Sequence, residues 1–114
     1  MIHIAICDDE KHMVDHIKAL VSDFFRKKNR EIHLRTFLSG KELLSYNGQI
    51  DILFLDIQMK GMDGMETARK LRADQFRGFL VFITVLKEMV FQSFEVQAYD
   101  YLVKPVDEKQ FEKT

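Results

Sequence analysis

The sequence predicts an α/β fold: a single (βα)5 unit with one doubly wound, parallel, five-stranded sheet. Three observations carry that expectation. Short apolar runs alternate strictly with longer amphipathic stretches, the pattern of strand–helix units joined by right-handed crossovers. Ile52–Leu55 is an unbroken apolar run between two aspartates, as a central strand covered on both faces requires. A chain of 114 residues that is 46% hydrophobic and 31% charged suits one domain with one core and no covalent staple.

The elements follow in order. Ile2–Cys7 is the first strand, closed by Asp8 and Asp9. From about Glu10 to Lys28, Met13, Ile17, Leu20 and Phe24 step by helical intervals and mark one face, with Lys18, Arg26 and Lys27 on the water side. Glu31–Phe37 alternates as a half-exposed edge strand would, Ile32, Leu34 and Thr36 against His33, Arg35 and Phe37. Ser39 offers an N-cap to a short helix stopping near Gly48. After the Ile52–Leu55 strand, Asp63 caps a third helix to about Arg72, with Met65, Ala68 and Leu71 inward. Phe79–Ile83 reads as the fourth strand, Lys87–Val96 as the fourth helix and Tyr101–Val103 as the fifth strand. Asp107–Thr114 begins a fifth helix that stops after barely two turns, the expectation being a domain over residues 1–114 with that helix truncated and any output domain beyond it.

Composition narrows the function classes. A net charge of −1 argues against a domain built to coat nucleic acid or an anionic membrane. The lone Cys7 excludes an intrachain disulfide and a CxxC metal knuckle, so a reducing cytoplasm is the expected compartment. No apolar run is long enough to span a bilayer, and MIHIAICDDE lacks the basic start of a signal peptide.

In an open parallel sheet, ligands bind outside the carboxyl ends of the strands. Those ends carry Asp8 and Asp9, Asp56, Thr84 and Lys104. Three carboxylates in one crevice cannot all stay ionised unless a pKa rises or a cation binds. An oxygen-rich set favours Mg²⁺ or Mn²⁺ over zinc, and magnesium leaves positions open for a phosphoryl group. Asp56, ending the most buried strand, is the best nucleophile candidate, since carboxylates form acyl phosphates. Lys104, the Thr84 hydroxyl and the metal would neutralise the phosphoryl oxygens. No group is placed to activate a hydrolytic water, so a persistent phosphorylation is expected rather than rapid turnover.

Together CDDE at 7–10, LDIQMKGMDGME at 55–66, FIT at 82–84 and DYLVKPVD at 100–107 resemble the receiver domain of a two-component response regulator, across essentially the whole chain. FEVQAYDYLVKP (94–105) is most similar to receivers that precede a LytTR-type DNA-binding domain. The resemblance implies the flavodoxin-like strand order 2-1-3-4-5. It makes Asp56 the phospho-acceptor for a sensor histidine kinase, and it assigns Mg²⁺ to Asp9, Asp56 and the Gln58 carbonyl, with Asp8 reaching it through water. Lys104 would pair with the acyl phosphate, Thr84 would turn towards it, and Tyr101 would be the switch aromatic. Lys104-Pro105 resembles the family's cis peptide, and Pro105 is the only proline here. The chain would be no enzyme beyond slow self-dephosphorylation, and DNA would be met only through an output domain.

Four positions bear on how the chain departs from the family pattern. Lys60 stands where proline is frequent, Val85 where a small residue usually follows the threonine, and Gln58 and Leu86 occupy the positions that tune hydrolysis. Slow dephosphorylation and slow loading by small phosphodonors are expected. New charge beside Thr84 and Lys104 would bias Thr84, Tyr101 and the fourth helix. Met89, Val90, Phe91 and Phe94 make that helix apolar enough to seed a phosphorylation-dependent homodimer.

Plainer readings compete. Asp8 and Asp9 could serve only as acids at a helix N-terminus, and Thr84 and Lys104 singly are ordinary strand-end residues. Cys7 reads as core. His12 and His16, four apart on a helix, lack a third zinc ligand and read as solvated. Arg26, Lys27, Lys28 and Arg30 suit a helix C-terminus. Two other classes stay open: a degenerate receiver acting as a phosphorylation-independent interaction module, and a small phosphatase using Asp56 as covalent intermediate. The phosphatase reading lacks a second acid, since Gln58 stands two residues after the nucleophile.

Overall fold

In a computed structural model of the chain, residues 1–84, 97–104 and 111 are described. Strands β1 (Ile2–Cys7), β2 (Ile32–Phe37), β3 (Ile52–Asp56), β4 (Phe79–Thr84) and β5 (Asp100–Val103) form one sheet in the order β2-β1-β3-β4-β5. Every neighbouring pair is parallel. The expected fold class and strand order are thereby met. Helices α1 (Lys11–Lys27), α2 (Gly40–Leu44) and α3 (Gly64–Ala73) fill the crossovers between the first four strands.

The period-two alternation of the strands divides the core between the two faces of the sheet. Ile4, Ile6, Phe54, Val81 and Ile83 pack with Val14, Ile17 and Val21 of α1 and with Phe111, which is buried and helical. Ala5, Cys7, Leu53, Leu55, Leu80 and Phe82 pack on the opposite face with Leu43 of α2 and Met65 and Ala68 of α3. Ser39 and Asp63 cap α2 and α3 as expected, accepting from the N–H groups of Glu42 and Glu66.

Three local expectations are corrected. The fully buried stripe of α1 is Val14, Ile17 and Val21, whereas Met13, Leu20 and Phe24 flank it half-buried. The stripe is centred about one residue further on because β-branched side chains pack flat on the sheet while the longer ones wrap its margin. In β2 the buried residue is Phe37 and Thr36 is exposed, because the strand end turns its last side chain under α2 and against the Tyr46 ring. Helix α2 ends at Leu44, short of Gly48. The expected helix Lys87–Val96, Val85, Leu86 and Pro105 lie outside the described residues, as does all of Asp107–Thr114 except Phe111.

Candidate functional site

Parallel strands deliver their C-terminal ends to one edge of the sheet, and three of the expected residues meet there. Asp8 follows β1, Asp56 ends β3, and Lys104 follows β5. Asp8 and Asp56 are buried, 0% and 2% exposed, among otherwise apolar strand ends. Two such carboxylates need a cation. Lys104 Nζ supplies it, lying 3.1 Å from Asp8 Oδ2 and 3.3 Å from Asp56 Oδ1.

The charges set one another. Burial, then the negative charge of Asp8, pushes the Asp56 carboxyl up to about 7, against the opposing pull of Lys104. Asp9 adds a smaller upward push, so its charge reaches Asp56 as well. For Lys104, burial alone would lower the pKa, but the carboxylates of Asp56 and Asp8 outweigh it and the net shift is upward. The site is therefore a coupled set with more negative than positive charge.

The oxygens are not equivalent. Asp8 Oδ1 accepts from the Glu10 N–H at 3.0 Å, which fixes the turn ahead of α1, while no side chain caps the first turn of that helix. Asp9 Oδ2 accepts from the Lys60 N–H at 3.0 Å. Asp56 Oδ2 is buried with no hydrogen-bond partner among the described residues. An anionic oxygen left bare in a low-dielectric setting fits a divalent cation or an electrophile in its reach. The donor set is all oxygen, which suits Mg²⁺.

Asp8, Asp9 and Glu10 each offer a carboxylate oxygen, and these lie within 4.8 Å of one another. Glu10 was not singled out from the sequence, although its adjacency to the aspartate pair was visible there. Gln58 is exposed in the loop after β3, beside a cleft of about 600 Å³ lined by Asp9, Glu10, Met59, Lys60 and Asp63. Thr84 ends β4 opposite Val103, and Tyr101 pairs with Phe82; the side chains of Thr84 and Tyr101 are outside the described residues.

Two further contributors depend on tertiary structure. Lys60, where a proline was the expected residue type, uses its N–H to tie the β3–α3 loop to Asp9, a bond proline cannot make. Gly64 opens α3 directly against the end of β3: a Cβ there would stand 2.0 Å from the Asp56 carbonyl oxygen and 2.7 Å from Ile57 Cα. Its N–H donates to Ile57 O at 2.7 Å. Only glycine lets the helix start so close to Asp56.

The comparison with known families decides the identity of this arrangement. A family description for the response regulator receiver domain matches residues 4–114. The chain belongs to that family. Among curated relatives of this receiver domain, the transcriptional regulatory protein BtsR of Escherichia coli K12 is 45% identical over 64 residues, covering 56% of this chain and 26% of that protein. The sensory transduction protein LytT of Oceanobacillus iheyensis is 33% identical over 115 residues, covering 96% of this chain and 45% of that protein. Both are regulators of the LytTR type, in agreement with the likeness at 94–105. The receiver thus spans between about a quarter and a half of the length of these relatives. Among solved structures, the BeF3-activated receiver domain of DrrB, from Thermotoga maritima, superposes with a TM-score of 0.79 at 26% identity, covering 97% of this chain and 91% of that one. The chemotaxis protein CheY4 of Vibrio cholerae shares the fold, with a TM-score of 0.83 at 19% identity over 99% of this chain and 94% of that one.

Proposed function

We propose that this receiver accepts a phosphoryl group on Asp56 from a sensor histidine kinase and passes the resulting change to an output domain. The observation that supports it is the bare Asp56 Oδ2, buried beside the ammonium of Lys104 and close to the acids of the β1 end. In the transfer, the Asp56 oxygen forms a bond to phosphorus as the P–N bond of the donor's phosphohistidine breaks, and the departing imidazole takes up a proton. Lys104 would move its charge from the aspartates to the phosphoryl oxygens, with the Thr84 hydroxyl on another. Asp9, Asp56 and the Gln58 carbonyl would hold Mg²⁺, with Asp8 and Glu10 adding negative charge around it. The bound ion would neutralise a phosphoryl oxygen and bring it within reach of the carboxylate.

Phosphorylation adds up to about two negative charges. Lys104 would be drawn from Asp8, and Thr84 and Tyr101 would shift the surface of the fourth helix and β5, the face for a phosphorylation-dependent homodimer. An apolar Leu86 would orient no water and a branched Val85 would crowd entry to the acyl phosphate, so the acyl phosphate would persist. A domain of residues 1–114 acting in the cytoplasm, with DNA reached only through an output domain, completes the reading.

Intact mass after incubation with Mg²⁺ and acetyl phosphate tests it, with Asp56→Ala alongside. One stable adduct in the parent and none in the variant is the expected result. No adduct in either favours the phosphorylation-independent interaction module, and phosphate release over many turnovers favours the phosphatase. Leu86→Glu and Val85→Ala should release phosphate faster than the parent; equal rates in all three would remove the argument for persistence.

A further inference from the structure

We infer that His3 and His33 form a second metal site, which takes one late transition-metal ion such as Zn²⁺ through two imidazole nitrogens at the end of the sheet opposite the carboxylates. His3 on β1 and His33 on β2 are direct partners in the parallel register. Their ring centroids stand 5.4 Å apart with the planes at 67°. Two imidazoles bound tetrahedrally to one zinc, at Zn–N of about 2.0–2.1 Å, place their centroids about 5 Å apart, so the rings already hold nearly the chelating separation.

Edge-to-face packing of the rings would give a similar distance, but it leaves one observation unexplained. His33 Nδ1 is buried with no hydrogen-bond partner among the described residues. An unsatisfied buried nitrogen is destabilising, and a metal ion accepts its lone pair directly. The strand pairing orders both ligands before the ion arrives.

Asp51 adds the charge. Its Oδ2 accepts from the His3 N–H at 2.7 Å and its Oδ1 from Gln49 Nε2 at 2.9 Å. Those donors, the His3 N–H foremost, hold the carboxyl below its ordinary range and so ionised. An anion fixed next to the His3 backbone attracts a cation to the pair, while water completes the coordination. Neutral imidazoles select Zn²⁺, Ni²⁺ or Cu²⁺ and offer little to Mg²⁺ or Mn²⁺, which belong at the oxygen-rich rim. His3 and Asp8 are five residues apart on one strand and its end, about 16 Å, so the two sites load independently.

The test titrates the metal-free chain with Zn²⁺ in excess Mg²⁺, by calorimetry and by NMR of the four histidine rings. One ion bound in the micromolar range is expected, shifting the His3 and His33 ring resonances and leaving those of His12 and His16 in place. His3→Gln and His33→Gln should each weaken binding at least about tenfold, and Asp56→Asn should not change it. Absence of binding, equal affinity in either histidine variant, or shifts confined to His12 and His16 would overturn the site. The ring shifts are read on the parent chain, so a variant that fails to fold leaves the site open to refutation.

Discussion

Lys104 Nζ lies 3.3 Å from Asp56 Oδ1, and the same ammonium is 3.1 Å from Asp8 Oδ2, so one cation bridges the carboxylates of two strands that are adjacent in the sheet. Removing it leaves two buried carboxyls without their cation. Lys104→Ala should lower stability at neutral pH by about 2–4 kcal/mol without divalent cations, as truncating one partner of a buried pair does. Mg²⁺ should restore a large part of the loss. Urea unfolding with and without Mg²⁺ reads both effects; a variant as stable as the parent in chelator would contradict the bridge.

Asp56, pushed up to about 7 by burial and then by Asp8, makes stability depend on pH. The unfolded carboxyl titrates near about 4, so the folded state holds a proton that the unfolded state has released. Its contribution is present below pH of about 4 and fades as pH rises to about 7. Asp56→Asn should therefore stabilise the cation-free protein above neutrality, by up to about 4 kcal/mol, and do little at pH of about 4. Equal gains at both ends would contradict the raised pKa.

Under the proposed assignment, Mg²⁺ would require the ionised Asp56 carboxylate. Its affinity should fall about fivefold between pH of about 7 and 6 and level off above about 8. Calorimetric titration across that range measures the slope. A flat profile would mean that Asp56 is ionised throughout or is not a ligand.

Gly64 and Gly61 should respond differently to alanine. At Gly64 the added methyl meets the Asp56 carbonyl oxygen at 2.0 Å, where backbone cannot easily yield, and a loss of about 2–4 kcal/mol is expected. Gly61 has φ of 73° and nothing within 4 Å of a Cβ, so Gly61→Ala carries only the left-handed backbone penalty of about 1 kcal/mol. Thermal midpoints of the two variants test the ranking, and Gly64→Ala should also slow loading of Asp56 by acetyl phosphate.

Cys7 is fully buried, and burial, then the charges of Asp8 and Asp56, pushes its thiol up to about 12. The thiolate is the reactive form. Iodoacetamide at pH of about 8 should leave the folded protein unmodified and label it completely in denaturant. Rapid labelling of the folded chain would contradict the buried, neutral thiol.

Strand ends were readable from the sequence because polarity changes abruptly there: four apolar residues run into Asp56, and Cys7 into Asp8 and Asp9. The helix caps were equally plain, Ser39 and Asp63 each standing three residues before a glutamate. Features that arise from tertiary contact were not readable. The Lys60 N–H on Asp9 is a backbone donor that residue type does not announce. Gly64 looks like any loop glycine until α3 is laid against β3. The burial of Phe37 and not Thr36 depends on where α2 closes over the edge strand. His3 and His33 lie thirty positions apart, and only the parallel register makes them neighbours.

Phosphorylation of Asp56 is tested most directly by locating the adduct. Borohydride reduces an acyl phosphate on aspartate to homoserine, releasing phosphate, and peptide mass mapping then reads the position. After loading with Mg²⁺ and acetyl phosphate, homoserine at position 56 and at no other aspartate is the expected result. Homoserine at Asp8 or Asp9, or an unreduced chain despite an attached phosphoryl group, would contradict the assignment of Asp56 as acceptor.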